Sequence, residues 1–204
     1  MIMIFSYKNS DNELNRGVIH KNHKYQPSDD TYLMLDSLAG YRGNSALEIG
    51  IGSGIILREL RKGFSLVVGT DIDFDALSFC NQSNRTVMDL ICCDGVKALA
   101  SSQKYDLIVS NPPYLPYEDN DTSDRAIYGG ITGSEIAIEF VKSAVNLMSQ
   151  HGAILILLSS LSNLPQFYDA VASLGLSRRT ISTRKLFFES LSVEEIRFLL
   201  STKL

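Results

Sequence analysis

Two periods of apolar spacing take turns along this chain. Short, nearly continuous apolar runs occur at Ala46–Ile49, Leu66–Asp71, Leu90–Cys93, Tyr105–Ser110 and Ala153–Leu158. Runs of that length, rich in Val, Ile and Leu and bounded by Gly or polar residues, predict strands buried on both faces. Between them apolar residues recur at helical spacing. Ser28 predicts an N-cap, Asp29 and Asp30 suit the positive end of a helix, and Tyr32, Leu33, Met34, Leu35 and Leu38 supply its apolar face up to Gly40. A second helix is expected over Ile55–Lys62, closed by Gly63, and a third behind Asp73 through Ala76, Leu77 and Phe79. A short helical piece is expected at Val96–Ala100. From Ser134 a longer one carries Ile136, Ala137, Phe140, Val141, Ala144, Val145 and Met148. Asn163 and Pro165 open the last helix, which Gly175 closes. The tail, Ser177–Lys185 and Ser190–Leu200, predicts two strands joined near Phe187-Phe188-Glu189, close enough in sequence to pair antiparallel. Strand–helix alternation of this kind predicts an α/β fold. Its sheet is mostly parallel and seven-stranded, with helices on both faces and an antiparallel C-terminal hairpin.

Composition narrows the class. The 204 residues suffice for one well-buried core, and 45% hydrophobic with 21% charged residues is ordinary for a soluble globular protein. Residues 1–24 are expected to be a polar lead-in, with a basic patch at His20, Lys21, His23 and Lys24, and 25–204 a single domain. A net charge of −4 gives no overall basic field to recruit nucleic acid or an anionic membrane. The cysteines, Cys80, Cys92 and Cys93, are odd in number and form no C-x-x-C pair, so neither a disulfide framework nor a metal site is expected. Met1–Phe5 is too short for a signal segment, and no stretch approaches the ~18 to 20 apolar residues of a membrane span. A cytosolic protein is expected. Leu115–Gly133 follows neither period and carries Glu118, Asp119, Asp121 and Asp124 against Arg125. Loops of that length are commonly functional.

Candidate chemistry sits at the ends of the predicted strands. Glu48-Ile49-Gly50-Ile51-Gly52-Ser53-Gly54 joins the first strand to its helix, and its glycines permit a tight turn and a close ligand approach. The pattern alone fits NAD, FAD, S-adenosylmethionine or a structural turn. Ile55 stands where a dinucleotide fingerprint has its last glycine, which tilts away from a pyrophosphate. Asp71 ends the second strand about twenty residues on, where a carboxylate accepts ribose hydroxyls. Asp94 ends the third, beside Gly95; it suits an adenine amine or a simple Asp-Gly turn. The fourth strand runs into Asn111-Pro112-Pro113-Tyr114, where two prolines with no N–H to donate stop the ladder. The Asn111 side-chain oxygen and the Pro112 carbonyl are two acceptors side by side, matched to an –NH₂ group, and Tyr114 offers a ring face to a planar amide or base. Holding both hydrogens would aim the nitrogen lone pair at an electrophilic methyl, which is catalysis by orientation and electrostatics without a metal.

Glu48–Gly54, Asp71, Asp94 and Asn111-Pro112-Pro113-Tyr114 together resemble class I S-adenosylmethionine-dependent methyltransferases that carry the NPPY motif. Tyr25-Gln26-Pro27-Ser28-Asp29-Asp30-Thr31-Tyr32-Leu33 is similar to the opening of HemK-related enzymes of the archaeal and eukaryotic type. Ile127-Tyr128-Gly129-Gly130 with Gly133, and Phe188-Glu189-Ser190-Leu191, resemble later segments of the same family. Gln26 stands where that family usually has Glu, and the segment before Gly130 departs from its common wording. The resemblance implies a Rossmann-like sheet and S-adenosyl-L-methionine as cofactor. It implies that Tyr25 and Thr31 border the cofactor, with Glu48, Gly50, Gly52 and Gly54 at its methionyl end, Asp71 at the ribose, and Asp94 with Gly95 at the adenine. It also implies that Asn111, Pro112, Pro113 and Tyr114 hold the acceptor nitrogen.

The implied reaction is methylation of the glutamine amide in a Gly-Gly-Gln motif of a class-1 translation release factor. Bacterial members carry an extra N-terminal helical domain, for which about 25 residues leave no room here; the archaeal and eukaryotic type lacks it and commonly works with a small zinc-binding adaptor protein. The alternatives are an RNA or DNA methyltransferase acting on an adenine or guanine amine, and a non-catalytic scaffold that binds the cofactor. The acidic stretch after the NPPY motif would repel a phosphate backbone and so favours the protein substrate. Arg178, Arg179, Arg184 and Lys185 are expected to be a solvated strand end, the other place where RNA could be met.

Overall fold

Successive residues of a strand point to opposite faces, so a run that is apolar throughout must be covered twice. The computed structural model, which describes residues 28–82, 89–117 and 126–199, builds its layers on that rule. In chain order the elements are α1 (Asp29–Ser37), β1 (Gly43–Ile49), α2 (Ile55–Leu60), β2 (Phe64–Asp71), α3 (Phe74–Gln82), β3 (Asp89–Cys92) and β4 (Tyr105–Ser110). Then follow β5 (Leu115–Pro116), β6 (Tyr128–Gly130), α4 (Glu135–Ala144), β7 (Met148–Ser159), α5 (Leu164–Ser173), β8 (Leu176–Lys185) and β9 (Ser190–Phe198). Seven strands form one sheet in the order β3-β2-β1-β4-β7-β9-β8, and β5 and β6 pair separately. The run from β3 to β7 is parallel, whereas β9 is antiparallel to both β7 and β8. This is the expected architecture.

The two faces are sorted by alternation. Ala46, Leu107, Val109, Leu155 and Leu157 pack with Leu33 and Met34 of α1, Leu57 of α2 and Leu77 of α3. Their strand neighbours Leu47, Ile49, Ile108, Ile154 and Ile156 turn the other way, onto Ala137 and Val141 of α4 and Phe167 and Val171 of α5.

Some expectations fail for identifiable reasons. Val96–Ala100 is a turn, with i+3 bonds from Lys97 to Asp94 and from Leu99 to Val96, since so short a segment cannot repay helix nucleation. The helix expected to include Met148 ends earlier, in a 3-10 turn over Val145–Leu147, and Met148 opens β7. Gly152 therefore lies inside a strand, where a Cβ would sit 2.8 Å from the Tyr105 carbonyl oxygen. Tyr32 is half exposed, because four consecutive residues at 100° intervals cannot share one helix face with Leu33 and Met34.

An ion cluster centred on the buried Glu195 ties β8 and β9 to Tyr41. Glu195 on β9 accepts from Arg179 (2.5 Å), Arg197 (2.7 Å) and Tyr41 (2.5 Å), with its own side chain only 2% exposed. Burial alone would raise its pKa, but the hydrogen bonds from Arg197, Arg179 and Tyr41 outweigh it and bring the group down to about 2. Burial and then the bond to Glu195 push the Tyr41 hydroxyl up to about 12. A carboxylate whose folded pKa is depressed contributes stability above its unfolded pKa and loses it as pH falls toward the folded value. Glu195→Gln is therefore expected to cost about 1 to 2 kcal/mol at neutral pH, since Arg179 and Arg197, 70% and 40% exposed, can turn to water when the charge is lost. In denaturant titrations the gap from the unaltered protein should narrow between about pH 4.5 and 2. A gap that did not depend on pH would show that packing, not charge, holds this end together.

Candidate active site

The chain runs β1, β2, β3 outward in one direction and then crosses to place β4 on the other flank of β1. At such a reversal the loops leaving the two central strands diverge and open a crevice beyond their carboxyl ends. Here those loops are the glycine turn after β1 and the Asn111 tetrapeptide after β4. A cavity of about 840 Å³ lies between them. It is lined by Thr31, Glu48, Gly50, Gly52, Asp71, Asp94, Gly95, Asn111, Pro112, Pro113 and Tyr114, so almost every residue singled out from the sequence meets there. Gly54 does not line it, and Tyr25 lies outside the described residues, as do Gln26, Pro27 and the acidic Glu118–Asp124 stretch.

The glycine turn is built by backbone bonds. Gly50 and Ile51 both donate to the Thr70 carbonyl (2.8 and 3.1 Å), and Gly52 donates to Asp71 Oδ2 (3.0 Å). Gly50 and Gly52 have φ of 76° and 46°, and a Cβ on either would meet nothing within 4 Å, so both present bare backbone to open space. Gly54 has a different reason: it begins α2 at φ 70°, and a Cβ there would overlap Cys80 Sγ. Asp71 thus braces the turn through Oδ2 while Oδ1 accepts from the Asp73 amide (2.9 Å).

The floor is electrostatically loaded. Glu48 is 1% exposed, and its Oε2 has no hydrogen-bond partner among the described residues. Burial, followed by the nearby Asp71 charge, raises its pKa well above the ordinary carboxylate range. Burial also raises Asp71, against the opposing pull of the Asp73 and Gly52 amides. A buried carboxyl oxygen with no donor is costly unless something supplies one. Asp94 is half exposed and paired with Lys97 at 2.5 Å. Asp30, Asp73, Glu139 and Glu189 add further carboxyls, and no lysine or arginine is among the described lining residues. The crevice suits a cationic ligand. Next to Asp94, Gly95 takes a left-handed φ of 57°, which favours glycine, and a Cβ there would make only ordinary contact with the Phe140 ring at 3.6 Å.

Asn111 is held from a direction the sequence did not reveal. Its Nδ2 donates to Asp30 Oδ2 at 3.0 Å. Asp30 is 4% exposed, and its Oδ1 accepts from the Thr31 amide (2.6 Å) and from Ser28 Oγ (2.5 Å). Ser28 occupies the N-cap position, but its hydroxyl serves Asp30 instead of capping α1. A carboxylate so placed accepts only, so the Asn111 amide must turn its nitrogen to Asp30 and its oxygen the other way. The DDT sequence looked like dipole chemistry at a helix start; a contact spanning 81 residues was not legible in it.

The rest of the tetrapeptide is braced by its surroundings. Ser110 Oγ donates to the Ile49 carbonyl (2.9 Å), tying β4 to β1 at the point where the loop departs. Ser162 Oγ donates to the Tyr114 carbonyl (2.7 Å), and Leu115 and Tyr117 donate to Ile127 and Gly130 (3.1 and 3.0 Å). A Cβ on Gly129 would stand 2.5 Å from the Pro113 and Gly133 carbonyl oxygens, and one on Gly133 would overlap the Tyr114 carbonyl oxygen. These glycines let the 126–133 segment lie flat on the tetrapeptide backbone. Glu189, also on the cavity wall, accepts from Ser159 Oγ at 2.5 Å.

The chain is similar to known proteins in sequence and in fold. Residues 26–173 match the model of the methyltransferase small domain family. A Methanocaldococcus jannaschii protein named as a candidate protein N5-glutamine methyltransferase is 30% identical over 177 residues, covering 83% of this chain and 89% of the relative. The Mus musculus methyltransferase HEMK2 is 29% identical over 186 residues, covering 83% and 87%. Among solved structures, the E. cuniculi Mtq2–Trm112 complex, described as responsible for methylation of the eRF1 translation termination factor, superposes with a TM-score of 0.71. It is 27% identical and covers 86% of this chain and 98% of that one.

Proposed function

Because the chain belongs to the methyltransferase small domain family, we propose that it is an S-adenosyl-L-methionine-dependent protein N-methyltransferase. Its substrate on this reading is the glutamine side-chain amide of a Gly-Gly-Gln motif in a class-1 translation release factor. The observation that carries the proposal is the Asn111 amide, fixed by Asp30 at the lip of a carboxylate-lined crevice. The residues fit the cofactor. Its charged sulfur and amino group suit an anionic cavity, the buried Glu48 oxygen lacks a donor that an ammonium would supply, and bare backbone at Gly50 and Gly52 admits close approach. Thr31, Glu48, Gly50 and Gly52 would hold its methionyl end, Asp71 the ribose, and Asp94 with Gly95 the adenine; Gly54 contributes by packing the turn. When bound, S-adenosylmethionine supplies a methyl group on a positively charged sulfur.

The chain's own part is to make an amide nitrogen reactive. An amide lone pair is delocalised into its carbonyl, so the nitrogen is a poor nucleophile. The Asn111 side-chain oxygen and the Pro112 carbonyl would accept its two hydrogens, and Tyr114 would hold the amide plane. This would shift electron density onto nitrogen and point it into the crevice, and the N–H proton displaced on methylation would pass to solvent water. A phosphate-bearing substrate would meet a wall rich in carboxyls, where Lys97 is already paired with Asp94 and Glu139, which favours the protein amide over a nucleobase amine. A release-factor substrate places the reaction in the cytosol, with translation; separately, no helix among the described residues is long and apolar enough to cross a membrane. A small zinc-binding adaptor protein, implied by the family resemblance, is a proposed partner, and the similar Mtq2 structure is itself a complex, with Trm112.

The test is incubation with labelled cofactor and purified release factor, with and without co-expressed adaptor, followed by peptide mass spectrometry. One added methyl on the Gly-Gly-Gln glutamine is expected. Label recovered in RNA and absent from protein would overturn the reading.

A further inference from the structure

The most exposed large apolar side chains among the described residues stand next to the cavity. Phe187 and Phe188, at the tip between β8 and β9, are 92% and 85% exposed. Their rings meet edge to face with centroids 4.6 Å apart. We propose that this pair is a docking surface for the folded protein substrate, gripping an apolar patch beside the target glutamine. The inference rests on the protein-methylating reading above and names where that partner is held.

Topology puts the pair at the right edge. β9 runs antiparallel to β7, with Ser159 opposite Leu191, so the tip projects past the same carboxyl end of the sheet that opens the crevice. The tip is also fixed in place. Leu186 donates to the Glu189 carbonyl (2.8 Å), Ser160 donates to the Ser190 carbonyl (2.9 Å), and the Ser190 amide donates to Ser160 Oγ (2.9 Å). Glu189, the next residue, reaches the cavity wall. The neighbouring loop continues the apolar rim: Leu161 is 45% exposed, and Ser162 beside it bonds the Tyr114 carbonyl. Ile131, 79% exposed, sits in the segment that lies on the tetrapeptide. Two rings on a turn whose backbone is held by these bonds offer an apolar partner a surface at the cost of ordering only the two Phe side chains. They offer nothing to a phosphate backbone. A folded protein presenting its glutamine on a loop would meet tetrapeptide and rim together.

The test compares the unaltered protein with F187A/F188A on two substrates, the folded release factor and a short Gly-Gly-Gln peptide. For the folded factor KM is expected to rise about tenfold to a hundredfold with kcat nearly unchanged, the scale of a central aromatic contact. For the peptide neither constant should move, and the unfolding temperature and cofactor affinity should stay as they were. Equal KM values for the folded factor would overturn the surface alone. A marked fall in unfolding temperature would overturn it too, by showing that the pair is covered within the chain. So would sedimentation showing a self-associated unaltered protein that the substitution splits. Absence of transfer by the unaltered protein would overturn the activity reading, and this surface with it.

Discussion

Asn111→Ala is expected to lower the rate of methyl transfer by about two to three orders of magnitude while cofactor affinity changes little. The asymmetry follows from what the side chain touches. Asn111 hangs from the end of β4, its nitrogen pinned to Asp30, and its contribution to cofactor binding is only that of one wall among many. The acceptor role, by contrast, has no substitute at that position, since Pro112 can offer one carbonyl but not two. Losing one pre-organised polar contact that strengthens as the nitrogen becomes nucleophilic removes about 3 to 4 kcal/mol of transition-state stabilisation. Asn111→Asp should be no better, because a second carboxylate would face Asp30 across about the distance of a hydrogen bond. Single-turnover transfer and calorimetric cofactor binding separate the two effects. Transfer that survived Asn111→Ala would remove the tetrapeptide from the mechanism.

The sequence carried the architecture because the relevant signals are local. Apolar runs interrupted by capped helices leave a parallel sheet few alternatives, and the C-terminal hairpin follows from the proximity of its strands. The strand ends that bear Glu48, Asp71, Asp94 and Asn111 were legible for the same reason, and they converge on one cavity. Register errors arose where a local pattern met a tertiary demand. Met148 keeps helical spacing with Ala144 yet opens β7, because β4 offers it a pairing partner in Tyr105. Gly54 looked like ligand chemistry and turns out to make room for Cys80. Gly129 and Gly133 serve the close passage of one backbone over another, and glycine spacing alone cannot announce that. Glu189 was noted only as part of a junction, though its carboxyl stands at the cavity. What stayed hidden was long-range pairing of side chains, above all the bond from Asn111 to Asp30.

That bond yields the second large prediction. Asp30→Ala is expected to lower kcat by roughly ten- to a hundredfold with little change in KM for the cofactor, the scale seen when an orienting partner behind a catalytic group is lost. The reason is directional. With the carboxylate present, only one of the two amide orientations of Asn111 avoids an oxygen facing an oxygen, so the buried acceptor oxygen is always the end turned away from Asp30. Without it the two orientations become closer in energy, and some molecules present a donor where an acceptor is needed. Asp30→Asn should recover only part of the loss, since an amide accepts as readily as it donates and no longer compels the choice. A double-mutant cycle distinguishes positioning from mere support of α1. If Asp30 acts through Asn111, adding Asp30→Ala to Asn111→Ala should cost almost nothing further; an independent structural role predicts losses that multiply. Because Asp30 also accepts from Thr31 and Ser28, some fall in unfolding temperature is expected for Asp30→Ala. The cycle is therefore read in kcat for folded protein, where only the coupling to Asn111 removes the second penalty.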